Sequence, residues 1–199
     1  MKEGRKLISF EIFDYKTNKT ELNSLNKLNI EYINWAEEQL DLLYHSTIFE
    51  HNDNYDKNVR NYSNEFFEKV LNDQKNKSRF ILIKDNEELV GMGGLNQLTP
   101  DIGEIKRMYI KEKYRNRGLG KELLDKLLEL GSEMKFSLIK LDSVKFMDKA
   151  HKLYEKAGFE YTGPYQESEI PLDKQKNWVF MKKKILWNTL IMVIKRIYR

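Results

Sequence analysis

No cysteine occurs in the 199 residues of this chain. That absence excludes disulfides, thiolate metal sites and a cysteine nucleophile, and it is compatible with a reducing, cytoplasmic setting. Histidine is scarce. His45, His51 and His151 are too scattered to form a recognisable zinc motif, and no metal is expected. Glycine/serine-rich linkers and internal repeats are missing, so one domain over residues 1–184 followed by a tail at 185–199 is expected. The start, MKEGRKLISFEIFD, has no apolar run of signal-peptide length. A strong charge of one sign is missing too. The formal net charge is +4, short of a nucleic-acid-binding composition, and the lysines are dispersed among acidic residues.

What is present is enough for a core: hydrophobic residues make up 40% of the chain. KLISFEIF (6–13) alternates and reads as a strand. From Thr20 to about His45 the pattern turns helical, with Leu22, Leu25, Leu28, Tyr32, Trp35, Ala36, Gln39 and Leu42 on one face. A second helix is predicted over 59–73, with Tyr62, Phe66 and Phe67 inward. RFILIK (79–84) and LVGMGGL (89–95) read as strands joined at DNEE, and GEIKRMYI (103–110) as a third. A helix then runs to about Met134, followed by a strand at 137–142, a helix at 146–158 and two last strands, FEYTG and NWVFMKKK. Short links favour antiparallel pairing, whereas strand–helix–strand favours a parallel pair. The expected fold class is therefore α/β (α+β), a mixed and mostly antiparallel sheet with helices on both faces.

One segment concentrates chemistry. KYRNRGLGKELL (113–124) places arginines and glycines at the start of a leucine-rich helix. A helix start offers N–H groups without intrahelical partners and a partial positive charge, and glycine lets a phosphate approach the backbone. Arg115, Arg117 and Lys121 add charge-assisted donors. A P-loop is excluded, because Gly120-Lys121 is followed by Glu122 and Arg115 stands where the first glycine belongs. A dinucleotide fingerprint is excluded because Leu123 replaces the third glycine. Arg115-x-x-Gly118-x-Gly120 remains.

GEIKRMYIKEKYRNRGLGKELL, followed by LIKLDS and AHKLYEKAGF, resembles the GCN5-related N-acetyltransferase (GNAT) superfamily, over roughly residues 80–184. With Pro164-Tyr165 it is similar to small stand-alone bacterial-type members. The resemblance implies that Arg115, Asn116, Arg117, Gly118, Leu119, Gly120 and Lys121 hold the pyrophosphate of acetyl-CoA. It also implies that Met108, Tyr109 and Ile110 bond the pantetheine arm through their backbone. Tyr154, in LYEKAGF, is then the general acid for the leaving thiolate. Glu104 is the candidate base, directly or through water, with strand parity that puts it on the side of Lys106 and Met108. Met147 departs from the family pattern, where many relatives carry an asparagine.

The implied partners are acetyl-CoA as co-substrate and an amine acceptor, with the chain a monomer or homodimer and cytoplasmic. Transfer of another acyl group and a non-catalytic CoA-binding module are the alternatives. For the acceptor site, Tyr44, Tyr55, Tyr62, Tyr165 and Trp178 are aromatic candidates, and Glu50, Asp53 and Glu167 acidic ones. In the tail, Trp187, Leu190, Ile191, Ile194, Ile197 and Tyr198 share one helical face. Its apolar run, Ile185 to Ile194, is about half of a bilayer span. A packed or disordered end is the favoured reading; a membrane-surface or docking helix is the other.

Overall fold

The computed structural model describes residues 8–13, 19–72 and 78–185. The element order is β1 (Ile8–Ile12), α1 (Lys19–Tyr44), α2 (Tyr55–Asn72), β2 (Arg79–Asp85), β3 (Glu88–Thr99), β4 (Ile102–Ile110), α3 (Leu119–Glu133), β5 (Leu138–Val144), α4 (Asp148–Lys156), β6 (Glu160–Thr162) and β7 (Trp178–Lys184). This is the order expected from the sequence. The apolar tail face lies outside the described residues. No helix among the described residues is long and apolar enough to cross a membrane.

The strands form one sheet in the order β1-β2-β3-β4-β5-β7-β6. Only β4 and β5 pair in parallel; all other neighbours are antiparallel. Both faces are covered, and the alternation of β2 shows how. Ile81 and Ile83 enter a core with Leu123, Leu124 and Leu127 of α3. Phe80 and Leu82 enter a second core with Leu25 and Leu28 of α1 and Phe66 and Phe67 of α2. On α1 the buried stripe runs through Leu25, Leu28, Ile33, Ala36 and Leu40. Leu42, expected on that face, is 69% exposed. Leu40 follows Ala36 at helical spacing and Leu42 does not, so an inward Leu42 does not survive the geometry.

Two irregularities shape the middle of the sheet. β4 pairs with β5 only from Ile102 to Ile105, so Lys106 to Ile110 have no partner on that side. The two parallel strands part there and leave an open edge. Just at the parting, β4 bulges: Met92 pairs with Tyr109 and Gly94 with Lys106. Arg107 takes up the extra residue at φ 57°, the left-handed region that a side chain rarely adopts.

Candidate functional site

The bulge breaks the alternation on which Glu104, Lys106 and Met108 were expected to share a side. Lys106 stays with Glu104, its Nζ 3.3 Å from the carboxylate. Met108 packs instead against the α3 core, where its sulfur lies 3.8 Å from the Tyr154 hydroxyl. The expected common side therefore holds for Lys106 and fails for Met108, because one inserted residue exchanges the faces.

At the open end of the β4/β5 gap stands the glycine segment. A short 3-10 turn, Glu112–Tyr114, leads into it, and Gly118 caps α3 at φ 82° without a side-chain hydrogen bond. Asn116 is also left-handed, at φ 61°. Among the described residues, Arg117, Gly118, Leu119 and Gly120 donate no turn or cap bond from their N–H groups, whereas the carbonyl of Gly118 accepts from Lys121 and Glu122. A Cβ on Gly120 would meet Leu153 at 3.6 Å and Ile110 at 3.8 Å, which is ordinary contact. Packing therefore does not demand glycine there. A group approaching the backbone from outside would, and that is how the loop fits a pyrophosphate.

The basic side chains of this loop are held locally. The Nε of Arg115 donates to the carbonyl of Ile110 at 2.9 Å, and its guanidinium lies 4.6 Å from the Trp35 ring centre. Arg117 donates to the carbonyl of Lys113 at 2.7 Å and lies over Tyr114. Lys121 pairs with Asp125 at 2.6 Å on the exposed face of α3. Arg115, Asn116, Arg117, Gly118, Leu119, Gly120 and Lys121 thus surround one helix start, and Met108, Tyr109 and Ile110 form the strand edge leading to it.

Tyr154 is buried in the core between the sheet and α3, with the ring of Phe159 5.9 Å away. Burial pushes its phenol well above the usual tyrosine range. Its hydroxyl reaches only the weakly accepting sulfur of Met108. It is a neutral proton donor held beside the open β4 edge.

On the α1 side of the gap lies a cavity of about 250 Å³. α1, the loop after it, α2, β4, β5, the segment 169–171 and β7 line it, with Tyr32, Phe49, Tyr62 and Trp178 as its large rings and Lys106, Arg107, Asp142 and Glu169 as its charges. Glu37, buried on α1, fixes the loop: its carboxylate accepts from the N–H groups of Ile48 at 3.0 Å and Phe49 at 3.1 Å. Of the expected acceptor-site aromatics, Tyr62 and Trp178 line the cavity. Tyr165 lies beside it, Tyr55 bonds Asn34, and Tyr44 packs against the Leu40 cluster. Of the expected acids, Glu50 and Asp53 are exposed and Glu167 pairs with Lys140 at 3.1 Å. The acids found at the cavity are Asp142 and Glu169 instead.

These charges form one cluster with Glu104. The Tyr165 hydroxyl is 2.6 Å from Glu104 and 3.3 Å from Asp142. One hydroxyl hydrogen serves two carboxyls, so a second proton is needed before both contacts are hydrogen bonds. Burial raises the Glu104 pKa to about 7, with the Asp142 charge adding to the rise and Lys106 opposing it. Burial also raises Asp142, against Lys106 and Tyr165. Burial disfavours the charge of Lys106, but Glu104, Asp142 and Glu169 outweigh it and hold the ammonium firmly protonated. Glu104 itself is 1% exposed and touches the cavity through Lys106 and the shared tyrosine. Asp142, Arg107 and Glu169 were not singled out from sequence. No local pattern marks them, since their meeting depends on a bulge and on three distant segments.

Comparison with known proteins agrees with this geometry. The sequence model described as "Acetyltransferase (GNAT) family" matches residues 33–159. The uncharacterized N-acetyltransferase YsnE of Bacillus subtilis is 31% identical over 103 residues, which cover 51% of this chain and 66% of that protein. The uncharacterized N-acetyltransferase YjgM of Escherichia coli is 39% identical over 77 residues, covering 37% of this chain and 46% of that one. The chain thus spans between about half and two thirds of the length of these two relatives. Among solved structures, the PaiA N-acetyltransferase of Thermoplasma acidophilum, determined with coenzyme A, has a similar fold. It superposes with a TM-score of 0.63 at 18% identity, covering 89% of this chain and 98% of that one.

Proposed function

The chain belongs to the acetyltransferase (GNAT) family, and from that premise we propose that it transfers the acetyl group of acetyl-CoA to a primary amine, with both substrates bound at once. The observation that carries this reading is the parting of β4 from β5, which has the free helix start of α3 at one end and the charged cavity on the α1 side. It is a passage with a site for each substrate.

Bound acetyl-CoA supplies a thioester already activated toward an amine. The protein's part is to position, to polarise and to move protons. The N–H groups of the α3 start, with Arg115 and Arg117, hold the pyrophosphate. The open edge of Met108–Ile110 offers backbone groups to the pantetheine amides and an N–H to the carbonyl oxygen of the acetyl group. Asp142, backed by Tyr165 and Glu104, takes the proton from the acceptor's ammonium; with a Glu104 pKa of about 7 this set is poised to do so near neutrality. Tyr154, neutral and held beside the strand edge, donates its proton to the departing sulfur as charge develops there. The N–C bond forms and the C–S bond breaks; the nitrogen gives up a second proton as the amide forms, which replaces through solvent the one Tyr154 gave to sulfur, and the first proton leaves Asp142 to solvent.

The test is release of free thiol from acetyl-CoA against a panel of primary amines. Amine-dependent thiol release with acetylated product by mass spectrometry is the expected result. Tight acetyl-CoA binding with no release across the panel would contradict transfer and favour a binding module.

A further inference from the structure

The acceptor cavity contains a cation that the transfer chemistry leaves unused. Arg107 is partly buried at the cavity wall, on a strand bulge, with its backbone at φ 57°. A side chain rarely adopts that conformation, so the surrounding structure keeps Arg107 where it is. Its guanidinium is sandwiched among rings: Phe66 at 4.7 Å, Tyr62 at 5.1 Å and Tyr32 at 6.0 Å from the ring centres. One N–H donates to the Tyr62 hydroxyl at 2.8 Å. Among the described residues no carboxylate comes within ion-pair distance of it. Lys106, the neighbouring cation, differs: it is paired with Glu104 at 3.3 Å and Glu169 at 2.9 Å. The two acids that act on Arg107 through space are engaged elsewhere. Glu169 bonds Lys106 and Lys69, and Asp142 faces Tyr165.

A guanidinium is planar, always charged and presents several N–H donors in a fork. Here the aromatic faces fix its plane, one donor is used, and the residue lines a small cavity that combines aromatic walls with Lys106, Asp142 and Glu169. The group that matches such a fork in that space is a carboxylate, bound through two parallel hydrogen bonds. An acid lies in the same cavity, Asp142, beside the open strand edge.

We propose that Arg107 binds a carboxylate on the acceptor, so that the substrate class is a small amino acid-like amine carrying both groups. The carboxylate sits on Arg107, the amine faces Asp142 toward the gap, and the remainder lies on Phe49 and Trp178. This deepens the acetyl-transfer reading and rests on it for the role of the amine. The carboxylate site itself rests only on Arg107 and the cavity.

The experiment measures binding and transfer separately. L-Leucine, L-phenylalanine and L-aspartate, each beside its α-amide, are titrated by calorimetry into the full chain saturated with CoA. The acids are expected to bind tenfold or more tightly than the matching amides. In Arg107→Gln that ratio falls to near one. Arg107→Lys, which keeps the charge and loses the fork, gives an intermediate ratio. Amides that bind as well as acids to the unaltered protein overturn the proposal, and so does an absence of binding by every acid. Neither result depends on a variant folding. The same ligands are then assayed for thiol release with acetyl-CoA. Preference for acids without thiol release overturns acetyl transfer and leaves the carboxylate site standing. Release with acids and amides alike, at equal affinity, overturns the site and leaves transfer standing.

Discussion

The two ends of the β4/β5 gap are built by opposite means. The α3 start is local: the groups proposed to hold a pyrophosphate come from Arg115 to Lys121, and they are mostly backbone N–H groups whose direction follows from starting a helix. The cavity proposed for the acceptor is assembled over long range. Tyr32 and Glu37 come from α1, Phe49 from the loop after it, Lys106 and Arg107 from β4, Asp142 from β5, and Glu169 from the segment before β7. The first end is exposed and needs little besides a turn. The second is partly buried, and its charges shift one another's proton affinities. A site made of backbone at a helix start constrains a short sequence. A site made of side chains from distant strands leaves each short stretch free.

The largest effect expected bears on where the two ends meet. Tyr154→Phe removes the hydroxyl proposed above to protonate the departing sulfur. A fall in kcat of about 100-fold, with acetyl-CoA affinity changed less than twofold, is expected from steady-state kinetics and calorimetry. An unchanged kcat would return Tyr154 to the core as an ordinary aromatic.

Next is the pH dependence of the acceptor end. With a pKa of about 7, the Glu104 set is protonated below neutrality and cannot take a proton. kcat/KM for the amine should therefore rise about tenfold per pH unit below about 7 and flatten above it. Glu104→Gln should move or erase that bend while acetyl-CoA binding stays free of it. Linkage gives the same group a stability signature. Its folded pKa lies above the reference 4.5, so the folded state binds more protons between about 4.5 and about 7. Its contribution to stability is full below 4.5 and is lost as pH rises through 7, and Glu104→Gln should flatten that slope in melting temperature.

Tyr165→Phe should cost about 1–3 kcal/mol in chemical denaturation, because two buried carboxylates lose their common donor. The loss should be larger at pH 8, where Glu104 is charged, than at pH 6. At the donor end, Lys121→Ala should be the mildest. Its pair with Asp125 is an exposed contact one helical turn apart, so stability should change by no more than about 0.5 kcal/mol. A large loss of acetyl-CoA affinity in that variant would show that the loop depends on side-chain charge more than on backbone.

The same contrast explains how much was legible in the sequence. The order of strands and helices was readable from periodicity and turn residues, although α2 starts at Tyr55, a turn before the expected 59, and the parallel pair followed from the single helix between β4 and β5. The turn into α3 was legible because Gly118 and Gly120 are local signals of backbone geometry. The side taken by Met108 was misjudged, because nothing in KRMY announces a bulge: Arg107 is a side chain in a conformation more often given to glycine. Without the bulge, alternation places Met108 beside Glu104. With it, Met108 meets Tyr154 and Arg107 reaches the cavity. Asp142 and Glu169 stayed hidden because tertiary packing brings them to the site, burial raising Asp142 and, against burial, the ammonium groups of Lys106 and Lys69 lowering Glu169, which no linear spacing encodes.

The most direct measurement on the donor end is calorimetric titration of acetyl-CoA into the full chain and into Arg117→Glu. A single site in the unaltered protein, weakened tenfold or more by the charge reversal, is the result predicted for a pyrophosphate held at the start of α3. Equal affinity in the two proteins would contradict that assignment.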